Sequence, residues 1–213
     1  MKLDWLHEKK NKTASSGILL YVVSVIFICY QSFRLKGASL PPFLWSALFW
    51  VVVLFSVTNA SVRTFDFFKD GRFLYYYQLS KAQYVILAKF FYNSLFLTFV
   101  NLVAFVIYAL VMNLEQINFE IFLPTLVLGS TGLGFTLTSV SGIAAKAGNA
   151  MALIAILAFP LLLPQLLLLV KLTKSALDMM PLTSSSDELL SLLGINLISL
   201  ALGYLLFPYL WRA

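Results

Sequence analysis

Charge is what this sequence has least of. Asp, Glu, Lys and Arg make up 11% of its 213 residues, where a soluble globular domain carries about a quarter. The single cysteine, Cys29, has no partner within the chain, so no disulfide framework indicates a compartment. The single histidine, His7, sits among lysines, where a surface position is a far more ordinary role than haem or metal ligation. Asp66 and Asp70–Gly71 stand in the order a membrane phosphotransferase could use for a divalent cation. Such a cation needs several carboxylate oxygens, and no further acid joins these two nearby. No Ser, Cys or His stands beside a base with an orienting partner, which leaves nucleophilic catalysis without a candidate. No G-x-x-x-x-G-K-[ST] sequence occurs, so the chain has no nucleotide-hydrolysing loop of its own. The reading is therefore of a chain with no catalytic, cofactor-binding or metal-binding residues.

Long apolar runs are what the sequence does have. Hydrophobic residues form 61% of the chain, and its mean hydropathy is +0.90. No water-soluble domain of this length could bury so much apolar surface, and the class implied is a polytopic all-α membrane protein. A hydrocarbon core of about 30 Å needs roughly 20 helical residues. Runs of suitable length fall near 17–33, 43–62, 82–112, 121–145, 149–172 and 189–210, which predicts six transmembrane helices. A cleaved signal peptide is the rival reading of the basic start "MKLDWLHEKKNKTASSG". It is set aside because the first apolar run is one of a series. At the start of the third run, "SKAQ" fits a capping box with Ser80 as cap and Gln83 reaching back.

The net charge of +6 does not imply nucleic-acid binding, because no stripe of Lys and Arg follows a helix face. Basic residues instead set orientation. With the N-terminus cytosolic, the inside holds Lys2, Lys9, Lys10, Lys12, Arg63, Lys69, Arg72, Lys81, Lys89, Lys146 and Arg212. The outside holds only Arg34, Lys36, Lys171 and Lys174. That asymmetry predicts both termini inside, with 1–16 and 63–81 cytosolic and 34–42, 113–120 and 173–188 external. The helices carry no ionised residue at mid-depth, which argues against a proton- or ion-coupled transporter.

Three stretches stand out. "DGRFLYYYQL", residues 70–79, gathers charge and aromatic rings at a cytosolic break. Gly71 can end a helical turn, and a short helix from Phe73 to Leu79 would place Phe73, Tyr76 and Tyr77 on one side with Leu74 opposite. Tyrosines of this kind also anchor chains at the lipid interface, but that role does not account for Asp70, Gly71 and Arg72 beside them. "GSTGLGFTLTSVSG" places Gly129, Gly132 and Gly134 inside an apolar span, where small residues favour close helix packing over phosphate binding. "FPLLLPQLLLLVK" puts Pro160 and Pro164 in the middle of the fifth span, where they are expected to kink or break the helix.

In order and spacing these stretches resemble the CcmB family, the haem exporter protein B of bacterial cytochrome c maturation. The resemblance is carried by "KDGRFLYYYQLSKAQYVILAK", "LGSTGLGFTLTSVSGIAAK" and "LAFPLLLPQLLLLVK", and covers nearly the whole chain. Asp70, Gly71, Leu74, Leu79, Ala88 and Lys89 fit the family's pattern. The chain departs from it at Ser80-Lys81-Ala82, where members often have prolines, and in an N-terminal segment shorter than the amphipathic helix many members carry. The resemblance implies an ABC-2 type permease in the bacterial inner membrane, non-catalytic itself. It would work with a cytosolic ABC ATPase that binds the ATP, a haem-handling membrane protein and a small accessory membrane protein. A periplasmic haem chaperone would be served indirectly.

On that basis the segment holding Asp70, Gly71, Arg72, Phe73, Leu74, Tyr76 and Tyr77 is expected to couple to the ATPase. Haem is expected to be handled by the complex and not by this chain. The tryptophans Trp5, Trp45, Trp50 and Trp211 are scattered and form no tryptophan-rich haem-handling segment. Two other readings remain: an ABC-2 permease exporting another small or lipidic substrate, and a membrane enzyme of phosphotransferase type.

Overall fold

The computed structural model describes residues 20, 22–31, 40–62, 82–114, 116–144 and 150–212. It is all-α among them. Each expected span contains a helix. We label these α1 (Val22–Gln31), α2 (Pro42–Val62), α3 (Ala82–Val111), α4 (Phe119–Ala144), α5 (Ala150–Leu177) and α6 (Ser186–Arg212). Helices α2 to α6 are each long and apolar enough to cross a membrane, and the described part of α1 is shorter.

Local chemistry places the ends. Pro42 opens α2 at the position where a missing N–H costs nothing. Asn118 caps α4, its side-chain oxygen accepting the Glu120 amide at 3.0 Å. Asp187 and Glu188 lie in the first turn of α6, where negative charge meets the positive end of the helix dipole. Helices α3 and α5 both end in a left-handed residue, Asn113 (φ 49°) and Met179 (φ 54°). In each case the next amide turns back to the helix, Leu114 N–H to Ala109 O and Met180 N–H to Ser175 O, both at 3.0 Å. Asparagine tolerates that backbone; methionine rarely adopts it.

Helix α4 is the centre of the bundle. It packs against α2, α3, α5 and α6, and 67% of it is buried, against 22% of the spanning part of α6. Contacts between α3 and α4 and between α4 and α5 run antiparallel, whereas α6 lies parallel to α4. Toward one end an aromatic cluster joins α2, α3 and α4. Trp45 meets Tyr108 edge-on at 4.8 Å, and Phe105 meets Phe122 at 4.3 Å. The Tyr108 hydroxyl donates to Trp45 O at 3.1 Å. On the outward side of α3, Phe91, Leu95, Phe99, Leu102, Val106 and Leu110 are exposed at helical spacing, the stripe a lipid-facing helix presents.

One expectation is narrowed and one needs correction. Of the kink or break expected at the prolines, a break is excluded: α5 continues from Ala150 to Leu177 with Pro160 and Pro164 inside it. Both rings lie on the exposed face, one turn apart, so the lost bonds and the steric pressure fall away from the packed seam. The same helix also runs on to Leu177 rather than stopping at 172. Lys171, Thr173 and Lys174 made that end look like loop, yet Leu172, Thr173 and Ala176 are fully buried. The connection to α6 is thus residues 178–185, with a 3₁₀ turn at Leu182–Ser184.

Candidate functional site

The expected coupling residues Asp70, Gly71, Arg72, Phe73, Leu74, Tyr76 and Tyr77 lie outside the described residues, as do Ser80 and the segment 1–16. The described chain stops at Val62 and resumes at Ala82. The antiparallel packing puts those two residues at the same end of the bundle as Ala144 and Ala150.

Within the bundle, the hydroxyls and glycines of α4 face its neighbours in two stripes. Toward α3, Asn93 Nδ2 donates to Thr138 Oγ1 at 2.8 Å, and Asn101 Nδ2 donates to Ser130 Oγ at 3.0 Å. Between them, Leu97 Cδ1 lies 3.2 Å from where a Cβ on Gly134 would stand. These three contacts step by four residues in opposite directions along the two helices. A slide of one turn would set Asn101 against Gly134 and Leu97 against Thr138, losing both amide bonds, so the register is fixed.

The other stripe faces α2, α5 and α6. A Cβ on Gly129 would collide with the Trp50 ring, whose Nε1 donates to Thr173 Oγ1 at 2.8 Å across the bundle. At Gly132 a Cβ would collide with the Asn196 side chain, which donates through Nδ2 to Leu128 O at 2.8 Å. One turn on, the Thr136 hydroxyl lies 3.3 Å from Gln165 Oε1 and 3.1 Å from Ser199 Oγ. A hydroxyl has one proton, so Thr136 donates to Gln165 and accepts from Ser199. Thr136, Gln165, Asn196 and Ser199 therefore form a buried polar node where α4, α5 and α6 meet.

Gly129, Gly132 and Gly134 thus sit where partner side chains press on the α4 backbone, while Pro160 and Pro164 sit on the outward face of α5. The buried amides Asn101, Gln165 and Asn196, with Asn93 beside them, are functional candidates that hydropathy passes over. A signal for two of them exists, since Asn93 and Asn101 lie eight residues apart on one helix face, as do Ser130 and Thr138 opposite.

The end of the bundle opposite Val62 and Ala82 is tied together. Asn118 gives its backbone N–H to Ala176 O at 2.9 Å and its Nδ2 to Met180 O at 2.9 Å. Lys171 pairs with Glu188 at 2.6 Å, and Lys174 with Asp178 at 2.7 Å. Exposed pairs contribute little stability on their own, but Lys171–Glu188 fixes the end of α5 to the start of α6. No group of three or more His, Cys, Asp or Glu that could hold a metal is found among the described residues.

Comparison with protein families gives a match to "CcmB protein" over residues 6–209, almost the full length. The chain belongs to the CcmB family. Comparison with curated proteins and with solved structures gave no match. CcmB membership agrees with the helical, multi-pass architecture. It implies a permease component of the haem-exporting ABC system of cytochrome c maturation, of a kind generally not catalytic. An ABC ATPase is the partner that CcmB membership implies. The polar seam suits that class of protein, since it holds helices in register.

Proposed function

We propose that this protein is the non-catalytic membrane permease subunit that couples ATP hydrolysis, performed by a cytosolic partner, to haem delivery in cytochrome c maturation. The ATP-driven step is haem delivery or release of the haem-loaded chaperone. The observation that carries the reading is the family match across residues 6–209, on a helical bundle without a nucleotide-hydrolysing loop of its own. In this reading the ATPase docks on the segment 63–81, and both termini are cytosolic. The complex also includes a haem-handling membrane protein and a small accessory membrane protein, and haem is bound by those partners and the periplasmic chaperone. The locked α3–α4 pair supports a mechanical role, since a subunit that transmits motion needs a stiff body to move.

Removing the gene and staining membrane and periplasmic proteins for covalently bound haem tests this directly. The expected result is loss of c-type cytochromes with non-covalent haem proteins retained, and recovery on complementation. Unchanged c-type cytochrome content in the deletion strain would overturn the assignment.

A further inference from the structure

The node between α4, α5 and α6 is polar beyond what its own hydrogen bonds use. Gln165 Nε2 and Asn196 Oδ1 have no partner among the described residues, although Gln165 is 0% and Asn196 5% exposed. One of these atoms is a donor and the other an acceptor. Reversing the Gln165 amide does not remove the mismatch: its nitrogen would donate to Thr136 and its oxygen would be left over. The surplus belongs to the site, whichever way the amide is drawn.

The two groups lie against consecutive turns of one helix. The Asn196 side chain fills the place of a side chain at Gly132, and Gln165 meets Thr136 one turn further on. A turn rises about 5.4 Å, close to the span of two hydrogen bonds of about 2.9 Å in sequence. Ser199 Oγ, held by Thr136, adds a hydroxyl with spare lone pairs to the same spot. A buried water needs two to four polar partners, and the node offers Gln165 Nε2, Asn196 Oδ1 and Ser199 Oγ. The hydrocarbon around the bundle offers none.

We propose that this node is an intramembrane water-binding site, with a water accepting from Gln165 Nε2 and donating to Asn196 Oδ1. Water held there satisfies the Gln165 Nε2 and Asn196 Oδ1 groups that Thr136 and Leu128 O leave unpaired where α4, α5 and α6 meet. The site stands on its own geometry and is independent of which partners the protein has.

Radiolytic hydroxyl-radical labelling of the purified full chain in lipid nanodiscs, carried out in ¹⁸O-water, tests it. Radicals formed from a held water label side chains next to it, even where no bulk water reaches. Label is expected on Leu133 and Leu137 of α4, which flank Gly132 and Thr136 in the chain, and on Leu162 of α5, one turn before Gln165, all buried. It should exceed the label on the buried rings of Phe49 and Phe122, which react faster intrinsically but line the aromatic cluster. A Gln165→Leu variant should lose the node label and keep the cluster unchanged. Node leucines labelled no more than the two rings, or label that persists undiminished in Gln165→Leu, would overturn the proposal. The wild-type comparison decides the matter alone if the variant does not fold.

Discussion

At the scale of single residues, the bundle is set by what α4 lacks. Gly129, Gly132 and Gly134 were legible as packing positions because glycines inside an apolar run have few other uses. What presses on them was not legible: nothing in the sequence ties Gly132 to Asn196, or Gly129 to Trp50, since these contacts depend on how helices far apart in the chain are oriented. The Gly132–Asn196 contact is the tighter one and makes a definite prediction. In Gly132→Ala the new Cβ displaces the Asn196 amide from its bond to Leu128 O. The expected cost is about 1–3 kcal/mol of overpacking and lost hydrogen bonding, read as a lower thermal midpoint of the purified protein. Because the damage passes through one side chain, Gly132→Ala and Asn196→Ala together should cost less than the sum, by roughly 0.5 kcal/mol or more. Strict additivity would show that the contact is not the source of the effect.

At the scale of elements, hydropathy located all six helices and erred where helices carry polar residues beyond the hydrocarbon. The end of α5 was the largest error. Lys171, Thr173 and Lys174 resemble loop by composition, but the helix buries Leu172 and Ala176 on one side and spends its polar groups on Trp50, Glu188 and Asp178. At the prolines local chemistry argues for a kink or a break, and packing on the other side of α5 keeps the helix continuous. Both prolines lie on the exposed face, and Gln165, next to Pro164, keeps one unpaired group where α5 meets α4. Replacing Pro160 and Pro164 with leucine restores two ladder donors and stiffens this helix. The protein should insert at normal abundance, and c-type cytochrome yield should fall. Full yield at equal abundance would show that the prolines only shape a static helix.

At the scale of the whole molecule, the helix packing sorts the helix ends into two sets, and the asymmetry of basic residues predicts which set faces the cytosol. The structure refines where that can be tested. Asn118 and Ser185 lie in the two connections expected to be external but are poor reporters, since Asn118 caps α4 and ties it to Met180, and Ser185 is 2% exposed. Gln116 and Thr183 are exposed in the same two connections. In a background with Cys29 replaced by serine, cysteines at 116 and 183 should react with an impermeant thiol reagent applied to intact cells, and one at 70 should not. The reverse pattern would invert the molecule. With that orientation, Val62 and Ala82, which flank "DGRFLYYYQL" in the chain, lie at the end of the bundle where a cytosolic ATPase would dock. Aromatic rings next to arginine are the residues that dominate binding interfaces, and truncating a true anchor costs about 2 kcal/mol or more, some thirtyfold in affinity. A lipid anchor, by contrast, leaves docking untouched. We therefore expect a Tyr76→Ala, Tyr77→Ala double variant, present in membranes at wild-type levels, to lose most of the ATPase that co-purifies with the wild type. Undiminished recovery would remove the coupling role from this segment while leaving membership of the family, and the six-helix bundle, as they are.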